Sequence, residues 1–383
     1  MTDLLWPGDA RAGDLFTDAS VVEAMVRVES AWLAAGGHPS ELSTAFSVRD
    51  VAVAAEGGGN PVIPFLELLR SRNPEVAEHL HTGLTSQDVL DTALVLQLRD
   101  TAAFVARNLD RQVAALARLA ERHRGTRMAA RTLTQHAIPT TFGLKAANWL
   151  HGVLDARDAL SAAADLPIQI GGAAGSLAAP TALAGSPAAA LERVAATAGI
   201  LGLPARPPWH TARAPFTRIG DAFVTCTDAW GKIANDVLLS SRPEVGELSE
   251  APAEGRGGSS AMPNKHNPVL AVLIRRAALA APPLGATMHA AAAGAIDERP
   301  DGSWHVEWAT LRTLARRTAV AADQTAELLE GLRVDIERMA ATLTAARPGI
   351  DAERRKMGDD GPYLGASDEL IDAALARAQG KPC

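Results

Sequence analysis

The chain has 383 residues and a formal net charge of −7, so it exceeds one typical core and carries no basic stripe suited to nucleic acid. Two cysteines, Cys226 and Cys383, cannot build a disulfide framework, and the start from Met1 to Pro7 has neither the basic flank nor the apolar run of a signal peptide. No apolar stretch is read as reaching membrane-spanning length, so the expectation is a soluble, cytoplasmic chain without nucleic-acid or membrane partners.

The first 85 residues carry helical patterns near 18 to 36, 41 to 56 and 61 to 72, broken at Gly57-Gly58-Gly59-Asn60-Pro61, and read as a small N-terminal helical cap domain, 1–85. From Leu90 the apolar positions Leu94, Leu98, Ala102, Val105, Leu109, Val113, Leu116 and Ala120 follow at steps of three and four, with no proline between Ser86 and Arg124. One helix covers that stretch, about 55 to 60 Å long at 1.5 Å per residue, and it needs neighbours of similar length to bury its stripe. Residues 140 to 163, 212 to 241, 268 to 294 and 304 to 330 supply alanine- and leucine-rich helical patterns. Pro167, Pro204 to Pro208, Pro243 to Gly258 and Pro300 to Gly302 separate them.

The predicted fold is therefore all-α, an elongated helical bundle centred on 86–335. Tyrosine occurs once and aromatics make up 4%, and no alternating β-branched run is bounded by a hairpin turn, so strands are not expected. A helix-compatible piece from 331 to 346, Pro348-Gly349, a charged segment and a short helix near 366 to 379 make a shortened C-terminal helical region, 336–383, too small for its own core. No repeat of fixed period is found.

Four clusters carry candidate chemistry. His79 to Asp88 places Thr85, Ser86 and Gln87 at the start of the long helix. Thr85 with Asp88 three residues on is a capping box, and the free N–H groups there also suit a carboxylate. Arg131 to Lys145 is a polar run leading into a helix near Thr140, with Thr132 and Gln135 as donors suited to a dicarboxylate and His136 beside them. Pro208-Trp209-His210-Thr211-Ala212-Arg213 lies just ahead of another helix and reads first as loop packing.

The fourth cluster, Gly258 to Pro268, sets Ser259, Lys265 and Asn267 behind a glycine-rich lead-in. It suits proton transfer at a carbon beside a carboxylate, whose dianionic aci-carboxylate intermediate needs positive charge and hydrogen bonds. A serine moves that proton only if loop N–H groups and cations stabilise its alkoxide.

Gly258-Ser259-Ser260-Ala261-Met262-Pro263-x-Lys265-x-Asn267-Pro268 resembles the signature of the fumarase/aspartase superfamily, whose members make or break C–N and C–O bonds beside a carboxylate. Together with Thr85 to Ala93, Arg131 to Lys145, Pro208 to Thr211, Glu298-Arg299 and Trp304 to Trp308, it is similar to the 3-carboxy-cis,cis-muconate cycloisomerase branch. The resemblance runs from residue 1 to about 345 and extends weakly to a closing element, Gly361-Pro362-Tyr363-Leu364-Gly365-Ala366. It implies a homotetramer whose active sites are shared among three subunits, a small polycarboxylate substrate, no cofactor and no metal. The reaction implied is closure of 3-carboxy-cis,cis-muconate to 4-carboxymuconolactone in protocatechuate degradation.

Residue by residue, the resemblance assigns Ser259 to proton transfer and Lys265 with Asn267 to the carboxylate that becomes the dianion. Thr85 and Ser86 take a second carboxylate, Thr132 and Gln135 another. His136 joins as a further catalytic candidate and Arg213 as a substrate contact. Four features depart from the pattern. Leu133 stands where many superfamily lyases carry histidine, which removes the acid for a basic leaving group and favours cyclisation over deamination. Ala212-Arg213-Ala214-Pro215 replaces Gln-Arg-Asp-Arg, His266 replaces the more frequent arginine, and the segment after about residue 345 is shortened. Alternatives are a superfamily lyase releasing fumarate from a succinyl adduct or nitrosuccinate, and a non-catalytic structural homologue.

Overall fold

A computed structural model describes residues 3–259, 261–262, 265–357 and 363–380, with backbone alone over 352–357. Helices dominate. In chain order they are α1 (Asp18–Ala35), α2 (Val48–Gly58), α3 (Val62–Arg72), α4 (Ser86–Arg122), α5 (Phe142–Ala163), α6 (Ala178–Ala184), α7 (Pro187–Leu201), α8 (Ala214–Ser240), α9 (Val269–Ala293), α10 (Gly302–Glu330), α11 (Ile336–Met357) and α12 (Ser367–Ala378). Two small antiparallel sheets accompany them: β1 (Arg127–Thr132) with β2 (Gln135–Thr141), and β3 (Leu248–Ser249) with β4 (Arg333–Val334).

The long-helix expectation holds. α4 runs 37 residues, and Leu90, Leu94, Leu98, Ala102, Val105, Leu109, Val113, Leu116 and Ala120 are all buried along it. α5, α8, α9 and α10 fall within two residues of their expected limits. Local chemistry sets several starts: Thr17 Oγ1 accepts the Ser20 N–H at α1, and Ser186 Oγ accepts the Ala189 N–H at α7 ahead of Pro187.

The contacts sort the chain into two compact units: one of residues 1–104, 161–223 and 283–317, the other of 105–160, 224–282 and 318–383. This grouping differs from a sequential division at 85 and 335, because α4 contributes residues to each unit. The first unit has Met25, Val28, Trp32, Phe65 and Leu69 in its core, and the indole N–H of Trp32 donates to the Thr82 carbonyl at 2.9 Å. In the second, the buried Trp230 donates to Gln112 Oε1 at 2.7 Å, and Gln112 donates to the Ala322 carbonyl at 2.8 Å. That chain of bonds joins α8, α4 and α10. Gly231 lets α8 approach α9, since a Cβ there would lie 2.6 Å from Ala278 Cβ.

Several expectations need correction. The hairpin β1–β2 stands in the polar run ahead of the helix near Thr140, where no strand is expected, and α6 and α7 occupy a stretch between Pro167 and Pro204 for which no helix is predicted. α2 begins at Val48 rather than near residue 41, and α11 runs from Ile336 to Met357 with Pro348 inside it. α9 is long and apolar enough to cross a membrane by length and composition alone, contrary to the expectation that no stretch is. Its Leu270, Ile274, Ala277, Ala281, Met288 and Ala291 nevertheless form a buried stripe, the pattern of a core helix.

Candidate active site

In the first unit the candidate groups gather at the N-terminus of α4. Asp88 is fully buried and its carboxylate accepts backbone N–H bonds from Thr85 at 3.0 Å and from Gly171 and Gly172 at 2.9 Å each. His210 Nε2 lies 3.0 Å from the same carboxylate and Gln169 Nε2 lies 3.3 Å away. The Asp88-to-Thr85 half of the capping box is thus present, and the same carboxylate pins a glycine loop to the helix. That loop must be glycine at its first position: a Cβ on Gly171 would sit 2.6 Å from His210 Cε1. Thr85 is buried and Ser86 half-buried beside it.

Arg213 stands next to this hub with a different role from the one expected. A guanidinium has five N–H donors, and all five are engaged. Nε bonds Glu307, Nη1 bonds Asp91 at 2.7 Å and the His210 carbonyl at 3.1 Å, and Nη2 bonds Asp91 at 3.1 Å and Glu307 at 2.6 Å. Trp304 Nε1 adds a 2.9 Å bond to Asp91. Burial disfavours the charged guanidinium, but Asp91 and Glu307 outweigh it and hold Arg213 well above its ordinary pKa. Arg213 is 2% exposed, a buried brace with no donor left for substrate.

A pair that sequence reading left unassigned lies close by in the chain. Glu29 on α1 is fully buried and accepts from the His81 backbone N–H at 2.9 Å, while its other oxygen lies 2.7 Å from His81 Nδ1. His81 adopts φ 62°, a left-handed conformation that is costly for a residue with a Cβ. The signal available in the sequence was a glutamate at one polar position of an otherwise apolar helix stripe.

In the second unit, Thr132, Gln135 and His136 come together at the exposed tip of the β1–β2 hairpin. Thr132 pairs with Gln135 and Arg131 with His136. The two residues between, Leu133 and Thr134, have φ 46° and 71°, the double left-handed geometry of a tight hairpin turn, here without the usual Asn-Gly. The register slips between Ala129 and Arg131, so that Ala137 and Ile138 face Ala130 alone; Pro139 opposite Ala129 has no N–H to continue the ladder. The hairpin is held from behind, where Ala129 packs with Leu343 and Ile350 of α11. Arg131 also forms a bidentate pair with the fully buried Glu247, both bonds 2.8 Å.

The signature loop follows β3 in the same unit. Ser259 Oγ accepts N–H bonds from Ala261 at 3.3 Å and Met262 at 3.1 Å. Two donors aimed at one hydroxyl oxygen favour negative charge on it, which is what a serine base requires. The Asn267 N–H donates to the Gly257 carbonyl at 2.8 Å and its side-chain Nδ2 donates to the same oxygen at 3.3 Å, so Asn267 closes the neck of the loop. Lys265 and His266 are exposed. Ser260, Pro263 and Asn264 of the signature, and Gly361 and Pro362 of the closing element, lie outside the described residues.

Two ties hold the stem. Glu250 accepts the N–H groups of Leu270 at 3.1 Å and Ala271 at 2.7 Å, capping α9, and Arg256 pairs with Glu327. Among the described residues no three His, Cys, Asp or Glu side chains are placed to hold a metal.

Comparison with known proteins places this geometry. A family described as lyase matches residues 15–281. A nitrosuccinate lyase of Streptomyces davaonensis is 45% identical over 359 residues, covering 88% of this chain and 76% of that protein. A 3-carboxy-cis,cis-muconate cycloisomerase of Bradyrhizobium diazoefficiens is 40% identical over 341 residues, covering 87% and 74%. The crystal structure of the 3-carboxy-cis,cis-muconate lactonizing enzyme from Pseudomonas putida superposes with a TM-score of 0.83 at 28% identity, covering 96% of this chain and 97% of that one. The signature loop, the helical architecture and these matches agree: the chain belongs to the lyase family, the fumarase/aspartase superfamily, and is an enzyme of that superfamily.

Proposed function

We propose that the protein eliminates a weakly basic leaving group from a succinate-type dianion, with nitrosuccinate as substrate and fumarate and nitrite as products. The observation that carries this reading is Leu133, 96% exposed at the hairpin tip, where many relatives in the superfamily place a histidine. A leaving group expelled without an acid must be stable as an anion. Nitrite, the base of an acid about as strong as a carboxylic acid, meets that demand, and the 45% identity to a nitrosuccinate lyase supports it.

The cations favour two carboxylates over three. Arg213 is committed to Asp91 and Glu307, and His266 stands where arginine is more frequent, which leaves less fixed positive charge for a triacid. In the proposed step Ser259, held toward its alkoxide by the Ala261 and Met262 N–H groups, takes the proton from the methylene carbon. The C–H pair becomes the aci-carboxylate dianion, faced by Lys265 and Asn267. That pair then forms the C=C bond as the C–N bond breaks and nitrite leaves with its electrons. In a site shared among three subunits, as the family resemblance implies, Thr132, Gln135 and His136 take the remaining carboxylate and Thr85 with Ser86 the departing group. No cofactor enters the step. The enzyme acts in the cytoplasm as a homotetramer; Val272 and Leu279, apolar and exposed on α9, suit contact with further copies.

A second reading, closure of 3-carboxy-cis,cis-muconate to 4-carboxymuconolactone, is favoured by the 40% identical cycloisomerase and the 0.83 superposition. Its leaving group in reverse is a carboxylate, which also needs no acid. Incubating purified protein separately with nitrosuccinate and with 3-carboxy-cis,cis-muconate, and reading nitrite by colorimetry and products by NMR, separates the two. Nitrite with stoichiometric fumarate is expected. Lactone without nitrite replaces the first reading with the second, and neither product from a folded protein supports a structural role.

A further inference from the structure

We propose that Arg131 and Glu247 are positioning residues for the reaction, fixing the hairpin tip that carries Thr132, Gln135 and His136; this rests on the reading of that tip as a carboxylate site. The tip is otherwise badly secured. Residues 132 to 136 are all exposed, the turn residues Leu133 and Thr134 are both left-handed, and the ladder is interrupted by the irregularity just before Arg131. Conformations of this kind persist only where surrounding structure over-determines them.

Glu247 supplies that constraint. Its N–H donates to the Ser240 carbonyl at 2.9 Å at the end of α8, and its own carbonyl accepts from Asp335 N–H at 3.0 Å at the start of α11. The next two residues, Leu248 and Ser249, pair with Val334 and Arg333. Glu247 is therefore anchored by its backbone on both sides, fully buried, and offers both carboxylate oxygens to Arg131, one residue before Thr132. A planar guanidinium gripped at two points fixes direction as well as distance. The same Glu247 opens the segment that leads through Glu250 and Arg256 to the signature loop, so one buried residue sets the origin of both.

The test is Glu247→Asp, which keeps the charge and the pairing but draws Arg131 back by about one bond length; misplacement on the order of 1 Å is enough to impair a binding constellation. Nitrosuccinate KM is expected to rise about tenfold with kcat within about twofold and thermal stability near wild type. A folded variant with wild-type KM overturns the proposal. The double variant Arg131→Met with Glu247→Met removes both buried charges together, a change that often leaves stability intact. A raised KM in that stable protein supports positioning, and recovery of KM along with stability shows a merely structural pair and overturns it; should the double variant not fold, Glu247→Asp alone decides. Succinate binding by calorimetry, on wild type and Glu247→Asp, separates this proposal from the functional one. A wild type that binds succinate without turning over nitrosuccinate breaks the assignment of substrate and still reads the brace, through the expected tenfold weaker binding by the variant. A wild type that neither binds succinate nor turns over nitrosuccinate overturns the brace together with the reading of the tip on which it rests.

Discussion

The hub around Asp88 and the signature loop around Ser259 use the same kinds of groups to opposite ends. In the hub, backbone N–H groups, an imidazole, an amide and a guanidinium all meet carboxylates of the chain itself. In the loop, two N–H groups meet a neutral hydroxyl, and Lys265 faces solvent. Internal satisfaction makes a rigid scaffold, because a buried polar network tolerates one arrangement only. Donors that meet no carboxylate of the chain suit an anionic ligand, and that is why the proposed chemistry is placed there. The contrast separates Arg213, whose sequence context suggested substrate binding, from Lys265, whose context suggested the same.

The comparison breaks most visibly at Ser259. Ser259→Ala removes the oxygen on which the Ala261 and Met262 donors converge, and turnover should fall by about 10³-fold or more, near the upper part of the range for a positioned proton-transfer group. Circular dichroism and the melting temperature should stay close to wild type, because Ser259 is half-buried and its neighbours Gly258, Ala261 and Met262 are exposed, so the side chain contributes little core. Turnover within tenfold of wild type would remove Ser259 from the mechanism.

Arg213→Met probes the opposite region. It leaves Asp91 and Glu307, both essentially buried, without their cation, and the loss should appear as stability, about 3–5 kcal/mol, with denaturant unfolding as the measurement. KM of the folded fraction should change less than twofold, as a brace without a free donor requires. A stable Arg213→Met enzyme with a large rise in KM would return this residue to the substrate.

The same contrast explains what could be read in advance. Helical spacing located α4, α5, α8, α9 and α10 because their stripes are long enough for the period to dominate any local exception. The hairpin escaped notice because it lacks every usual marker: no Asn-Gly turn, a proline at Pro139, and exposed rather than alternating residues from Thr132 to His136. What holds it, the Arg131–Glu247 pair and the packing of Ala129 on α11, spans more than a hundred residues of chain. α6 and α7 were hidden by Gly171 to Gly175 and by the prolines at 180 and 187, residue types that interrupt a helical pattern, although Gly171 and Gly172 form the Asp88-bound loop and Pro187 is an N1 proline. The signature loop was legible because its chemistry is local in sequence. Arg213 was not, because its partners Asp91 and Glu307 lie 122 and 94 residues away.

The turn itself offers a smaller, sharper test. Thr134 is β-branched at φ 71°, so Thr134→Gly should relieve strain and stabilise the protein by about 1 kcal/mol, the left-handed cost less the added entropy of glycine in the unfolded chain. A tip freed in this way holds Thr132 and Gln135 less firmly, so KM should rise a few-fold while stability improves. Stability and KM moving in the same favourable direction would show that the strain has no part in binding.

The smallest effect expected is a pH dependence at the stem of the signature loop. Burial pushes the Glu250 carboxyl above its ordinary value of 4.5; the Ala271 and Leu270 N–H groups and Arg256 draw it back in part, and Glu327 adds to the rise. A folded pKa above the unfolded one means that the folded state binds the proton more tightly. Stability from this group is therefore greatest below the unfolded value and declines as pH rises through the folded one. Glu250→Gln keeps an acceptor for α9 but cannot ionise, so its melting temperature should lose that downward slope between about pH 4.5 and neutrality while wild type keeps it. Parallel pH profiles for the two proteins would show that Glu250 is as well solvated as any surface carboxylate, and that the loop stem is less tightly built than its bonds to α9 indicate.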